Sequence, residues 1–384
     1  MDNSIYMDSA ATTKVDMDAA SLVLGYMMDY WHNPSSLYKP AKEVKQDIED
    51  ARADIAKIIG AEANEIYFTS GGSESNCWAI RGWIDNRIKN GCKDIVVITS
   101  PIEHKSIMEF HVANVLNFVT FATVNVSETG LVDEIHLHQL LKQYEGSDIL
   151  VSIQAANNEI GTMQILEHLS DIVHRHNAVF HVDAVQVFCQ IAFTVKDIGA
   201  DMLSASGHKI GAPKGIGFLY KSKHVDIEPL IYGSQMDGLR GGTENVPYIM
   251  AMAHAAVSKY ESMDGLYGNF YIKCCRNEMM EKLEEIGCKV VGNKELRLPN
   301  NINVMLPEGV GAEEMLYMLD AAGIYVSTGS ACNSNSKKPS HVLKAIGLTD
   351  EECSRCLRIT LTDNVNNVII YKVVKEIERL LKLF

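Results

Sequence analysis

Ile66-Tyr-Phe-Thr-Ser-Gly-Gly-Ser-Glu-Ser75 decides the architecture. β-Favouring apolar residues run to Thr69, a Gly-Gly-Ser turn reverses the chain, and helical sequence follows from about 74 to 89. Strand, tight turn and helix form the repeating unit of a parallel sheet. Upstream, Ala41 to Ile59 places Val44, Ile48, Ala51, Ile55 and Ile59 on one helical face. Downstream, strands are expected at Asp94 to Thr99, Val119 to Val124, Ile149 to Gln154, Val179 to Asp183, Met202 to Ser204 and Gly217 to Tyr220. The alternation predicts an α/β fold with a mostly parallel sheet and helices on both faces. After about residue 255 the character changes. Long charged helical stretches, Met250 to Glu285 and Asn366 to Leu381, flank shorter strands at Ile302 to Leu306 and Leu357 to Leu361. This reads as a second, smaller α+β domain. The first dozen residues suit either part.

Composition narrows the function classes. The 384 residues carry a net charge of −14, with 47% hydrophobic and 22% charged residues, as in an ordinary globular chain with room for two or three domains. The acidic balance argues against a broad nucleic-acid surface and offers no attraction to an anionic membrane. No stretch approaches the ~20 apolar residues of a membrane span. Met1-Asp2-Asn3-Ser4 lacks the start of a signal peptide, so a cytoplasmic location is expected. Nine cysteines in a chain this long are expected as thiols, not as a disulfide framework.

Four segments carry chemistry. Ser204-Ala-Ser-Gly-His-Lys209 follows a strand end and precedes Gly211-Ala-Pro-Lys-Gly-Ile-Gly217. Lys209 there suits a Schiff base with an aldehyde cofactor, and Ser206 and His208 suit a phosphate; a solvated surface lysine is the competing explanation. In His181-Val-Asp-Ala-Val-Gln186, Asp183 ends an apolar strand, where a carboxylate needs a partner. A protonated pyridine nitrogen is one such partner, and a helix-capping role is the alternative. At Gly72 and Ser73 a helix start presents N–H groups to an anion, although a plain strand-to-helix connection explains the same residues. Features at three strand ends can converge beyond the carboxyl edge of a parallel sheet. Finally, Ser327-Thr-Gly-Ser-Ala-Cys-Asn-Ser-Asn-Ser336 sets Cys332 among small polar residues. That environment suits a reactive thiol better than a packed one. Cys353 and Cys356 have metal-like spacing, but one pair is half of a structural zinc site, and no metal is expected.

These segments, in this order, resemble the cysteine desulfurase family of the class-V aminotransferase-like, fold type I pyridoxal-phosphate (PLP) enzymes. The resemblance starts at Tyr6-Met-Asp-Ser-Ala-Ala-Thr-Thr13 and runs through Asn33-Pro-Ser-Ser36, Glu103-His104-Lys105 and Asn157-Asn-Glu-Ile-Gly161. It continues through Ser206 to Lys209, Arg240-Gly-Gly-Thr-Glu-Asn245, the Cys332 segment and Pro339-Ser-His-Val-Leu343. It implies a large PLP-binding domain over 14–255 with a seven-stranded sheet. A small domain over 1–13 and 256–384 would carry the cysteine loop at about 327–338. The long loop resembles the branch serving iron–sulfur cluster assembly and tRNA thiolation.

By resemblance, Lys209 is the Schiff-base lysine, and His104 stacks on the ring and moves protons. Asp183 pairs with the ring nitrogen and Gln186 touches the ring oxygen. Gly72, Ser73, Ser206 and His208 hold the phosphate, and Asn158 lies beside the cofactor. Thr243 reaches the phosphate of a neighbouring subunit, which implies a homodimer. Asn33 and Arg358 bind the substrate carboxylate. L-cysteine would lose its Cα proton to Lys209 and its sulfur to Cys332, leaving alanine and a persulfide for an acceptor protein. A selenocysteine lyase or other β-eliminating lyase, or an inactive homologue acting as an assembly scaffold, would share much of this pattern. The chain departs from the family pattern at Gly72-Ser73, at Met236 and Asp237, in Thr360-Leu-Thr-Asp363, at Cys353 and Cys356, and in the short tail ending at Phe384. These departures bear on the partner more than on the chemistry.

Overall fold

The computed structural model describes residues 4–113, 119–264, 268–328 and 339–384. Twelve strands are described: β1 (Ile5–Tyr6), β2 (Ile66–Thr69), β3 (Ile95–Thr99), β4 (Val119–Thr123), β5 (Asp148–Gln154), β6 (Val179–Asp183), β7 (Met202–Ser206), β8 (Gly217–Lys221), β9 (Lys289–Val290), β10 (Asn301–Met305), β11 (Ile324–Tyr325) and β12 (Cys356–Thr360). The helices are α1 (Met17–Met28), α2 (Lys39–Ile59), α3 (Gly72–Lys89), α4 (Lys105–Ala113), α5 (Glu134–Gln143), α6 (Leu166–Arg175), α7 (Val246–Asp264), α8 (Gly268–Glu285), α9 (Ala312–Ala321), α10 (His341–Ala345), α11 (Asp350–Ser354) and α12 (Asn367–Leu381).

Seven strands form one sheet in the order β2-β8-β7-β6-β5-β3-β4. It is parallel except at β8, which runs antiparallel to β2 and β7. Every residue of β3 is buried, as a strand covered on both faces requires. The two-residue period then sorts its side chains. Ile95 and Val97 pack with Trp78 and Trp83 of α3. Val96 and Ile98 join the opposite cluster, which contains residues of α2 and α7. Each large apolar side chain so buried stabilises the fold by roughly 2–3 kcal/mol. Within the sheet, His181 bridges the hydroxyls of Ser152 (2.8 Å) and Ser204 (2.9 Å) across three strands. Burial holds this imidazole neutral, pushing its pKa down to about 3.

The second sheet, β12-β10-β9, is antiparallel and packs with α8, α9 and α12 around its own apolar cluster. The N-terminal segment spans both parts. β1 pairs with β11, Met7 is buried in the smaller core, and Asp8 bridges Thr360. The chain then crosses to the large sheet, where Thr13 N–H donates to the His208 carbonyl at 2.9 Å and Asp16 N–H to Gly211 at 2.8 Å. A division between residues 255 and 256 falls inside α7. The described residues of the helical stretch expected from Met250 to Glu285 fall in two helices, α7 and α8. β7 extends two residues beyond Ser204, because Ala205 and Ser206 pair with Phe218 and Gly217.

Candidate active site

The carboxyl ends of β3, β5, β6 and β7 and the β2–α3 turn open on one cavity of 250 Å³. Gly72, Ser73, His104, Asn158, Asp183, Gln186, Ser206, His208, Lys209 and Arg358 all line it. This is where an open parallel sheet places its ligand. A wider cleft of 860 Å³ shares Gln186 and Lys209, but the smaller cavity collects Asp183, His104, Lys209 and Arg358 together. Next to Ser206 and Gly72, the close approach of β7, β8 and the β2–α3 turn depends on glycine: a Cβ at Gly217 would lie 2.5 Å from the Ala205 carbonyl and 2.7 Å from the Gly71 Cα. No side chain caps α3 at Gly71, so its first N–H groups need another acceptor. Ser206 and His208 stand beside them in the cavity wall. Burial, with the charges of Lys209 and Lys214, holds His208 neutral by pushing its pKa down to about 4.

Asp183 is 5% exposed. Its Oδ2 accepts from Asn76 Nδ2 at 2.7 Å and its Oδ1 from Val185 N–H at 3.0 Å. Both donors are neutral. Burial pushes the His104 pKa down, opposed by the charge of Asp183, and its Nδ1 accepts from Ser106 N–H at 3.1 Å. Glu103 is fully buried. Its Oε1 accepts from Ser100 Oγ at 2.5 Å, while Oε2 has no hydrogen-bond partner among the described residues. Burial first, and the charge of Asp183, push this carboxyl up to about 8 against the Ser100 bond. The Lys209 ammonium donates to the carbonyls of Ala10 and, at 2.8 Å, Ala11, while Gln186 Nε2 donates to Ala10 O at 3.3 Å.

Arg358 supplies the cation at the other end. It is 2% exposed and pairs with Asp8 at 2.7 Å, and its Nη1 donates to the Asn158 carbonyl at 3.2 Å. Near it, Ser340 Oγ donates to the buried carboxylate Glu159 Oε2 at 2.5 Å. Glu159 is raised by burial, with Ser340, His341, Arg358 and Lys105 all opposing. His341 Nε2 meets the Glu103 carbonyl at 2.9 Å.

Two of the expected site residues lie elsewhere in the single chain. Asn33 is exposed and its Oδ1 accepts from Ser35 N–H at 2.9 Å. Thr243 is exposed on a loop that Arg240 ties to Glu74 of α3 at 3.0 Å. Cys332 falls outside the described residues. Cys353 and Cys356 belong to a small apolar cluster with Val342 and Leu343, and burial pushes their thiols up to about 11 and about 12. Asp16, Asp18 and His254 cluster on the surface away from this cavity. The sequence reading gave no role to Asn76, Glu103, Glu159, Asp8 or His341. Asn76 alone had a local signal, one helical turn after Gly72 and so on the same face.

Fold and cavity define the class as PLP fold type I. The class-V aminotransferase family matches residues 5–367. A cysteine desulfurase IscS of Methanosarcina thermophila is 39% identical over 99% of this chain and 93% of its own length. A NifS-like protein of known structure superposes with a TM-score of 0.91 at 32% identity, covering 99% of this chain and all of its own. The structure of SspA in complex with cysteine superposes at 0.80 with 31% identity, over 94% of this chain and 99% of that one. The chain belongs to the cysteine desulfurase family.

Proposed function

We propose that the chain takes sulfur from L-cysteine as a persulfide on Cys332 and releases L-alanine, using PLP tethered at Lys209. The observation that carries this is one cavity holding Lys209, Asp183, His104 and Arg358 together. The residues fit the cofactor. Asp183 is a buried carboxylate hydrogen-bonded, among the described residues, by neutral donors, a costly state that a cationic ring nitrogen would relieve. At the opposite end the uncapped start of α3, with Ser73, Ser206 and neutral His208, offers a set of donors to a phosphate. Gln186, Asn158 and His104 line the same cavity and would hold the ring.

When bound, PLP withdraws electrons from the Cα of the attached amino acid. Arg358, held in place by Asp8 and the Asn158 carbonyl, orients the substrate carboxylate as a fork-shaped cation. The Lys209 amine takes the Cα proton. Asp183 would hold the ring nitrogen in its charged form, and Asn76 keeps Asp183 oriented. Cys332 attacks the substrate sulfur as a thiolate. A homodimer completes the site, with Thr243 reaching the phosphate of the second subunit; Asn33 also binds the substrate carboxylate. An acceptor protein for iron–sulfur assembly or thiolation takes the persulfide. No helix among the described residues is long and apolar enough to cross a membrane, and a cytoplasmic enzyme with neither membrane nor direct nucleic-acid partners fits the acidic charge.

The test is cysteine-dependent alanine formation with the cofactor's visible absorbance followed in parallel. Lys209→Ala is expected to lose both. Cys332→Ala is expected to keep the absorbance and lose sulfide release under reducing conditions. Normal turnover by Cys332→Ala would assign the sulfur to another residue.

A further inference from the structure

The cavity contains two imidazoles whose hydrogen bonds set opposite tautomers. His104 Nδ1 accepts the Ser106 N–H at 3.1 Å, so the neutral ring carries its proton on Nε2. His341 Nε2 lies 2.9 Å from the Glu103 carbonyl oxygen. A carbonyl only accepts, so this Nε2 carries the proton and Nδ1 is the bare nitrogen. In the neutral state His104 therefore presents a donor and His341 an acceptor.

The position of His341 is firmly determined. It is the first residue of α10, whose N-cap Ser340 accepts from Leu343 N–H at 3.3 Å and donates to Glu159 at 2.5 Å. Ser340 and Glu159 are both buried. The same stretch of wall contains Arg358, Asn158, Lys105, Glu103 and Glu159. Arg358 and Lys105 are cationic donors. Glu159 is already engaged by Ser340, and burial raises both carboxyls. In the neutral ring, His341 Nδ1 is thus a nitrogen acceptor in the wall that also contains Arg358.

Resting on the cysteine reading, we propose that His341 Nδ1 accepts the hydrogen bond of the substrate's S–H group and takes its proton as the sulfur leaves. The electron balance is closed. The attacking thiolate forms the S–S bond, and the Cβ–S bond breaks with its pair moving to carbon. Sulfur is oxidised and carbon reduced. The S–H proton moves to Nδ1, which becomes imidazolium, and the persulfide is left as its anion. His341 is then a catalytic residue that reads the protonated thiol. L-selenocysteine, whose selenol is already ionised at neutral pH, brings no proton for it to receive.

The substitutions separate this role from a structural one. His341→Gln can still donate to the Glu103 carbonyl from its amide, but its amide oxygen is far too weak a base to take the thiol proton. The expected result is a 10- to 100-fold loss of kcat/KM on L-cysteine, in the lower range of general acid–base contributions. Turnover of L-selenocysteine, and exchange of the Cα hydrogen of L-alanine with solvent deuterium, are expected to change less than about threefold. Rescue of L-cysteine turnover by Gln, or an equal loss on both substrates, overturns the inference. A second readout needs no cofactor: nitrogen NMR of histidine-labelled, cofactor-free protein is expected to show the neutral ring of His341 with Nδ1 unprotonated. A protonated Nδ1 in the neutral ring overturns the inference as well. Wild-type protein inert toward L-cysteine would instead overturn the parent reading, so the two failures are distinct.

Discussion

Glu103→Gln provides a quantitative test of the buried wall of the cavity. Burial places the folded-state pKa of Glu103 at about 8 against an ordinary 4.5. Between these values the unfolded chain gives up the proton and the folded chain keeps it. Rising pH therefore favours the unfolded state across this window. The penalty is absent below the unfolded value, grows through the window and levels off above pH 8. At pH 7 the chain is two and a half pH units into the window. At about 1.4 kcal/mol per unit, Glu103 then lowers stability by roughly 3 kcal/mol, most of which arises between pH 5 and pH 7. The substituted glutamine cannot ionise, and its amide oxygen still accepts from Ser100. Its NH2 inherits the unpartnered place of Oε2, at a cost of about 1–3 kcal/mol that is independent of pH. The measurable quantity is therefore the change in the difference between variant and wild type. For a chain of this size 1 kcal/mol moves Tm by about 1–2 °C. Thermal unfolding at pH 5 and pH 7, with and without cofactor, is expected to show the variant gaining about 3–5 °C on wild type. A difference that stays flat, or a variant that falls behind as pH rises, would mean that Glu103 is ionised in the folded protein.

Three further perturbations address the cavity. Gly72→Ala puts a Cβ 2.5 Å from Val185 Cγ2, and Val185 N–H holds Asp183; PLP affinity by absorbance titration is expected to fall about 10-fold or more, and an unchanged affinity would refute the tight fit. Arg358→Lys exchanges a buried fork for a point charge; KM for L-cysteine is expected to rise roughly 10- to 100-fold in steady-state assays, with kcat changed less. Asn76→Ala leaves Asp183 Oδ2 without its 2.7 Å donor, at about 1–3 kcal/mol; cofactor absorbance is expected to persist while kcat falls about 10-fold, and unaltered turnover would show that Val185 alone orients Asp183.

The parts of the site legible in the sequence are those whose local backbone demands particular residues. Gly72 and Ser73 follow from a strand that must turn sharply into a helix, and Asp183 and Ser206 from polar residues closing apolar strands. The seven strands were legible for the same reason, since buried β runs stand out against amphipathic helices. The strand order was not, because β8 lies between β7 and β2 through contacts with β2 that are 148 to 154 residues apart in the chain. The same distance hid the residues that tune the cavity. Ser340 and Glu159 are 181 residues apart and share one of the shortest hydrogen bonds in the protein. Asp8 and Arg358 are separated by 350. Nothing beside Glu103 in the sequence announces a carboxyl at zero exposure; it acquires that environment only when β5 brings Gln154 against the Ile102 carbonyl. A carboxylate, an imidazole or a guanidinium takes its charge and tautomer from its partners. Where those partners arrive through tertiary packing, the chemistry of the side chain becomes readable only once the fold is known, and His341 is the case where that changes the reaction ascribed to the site.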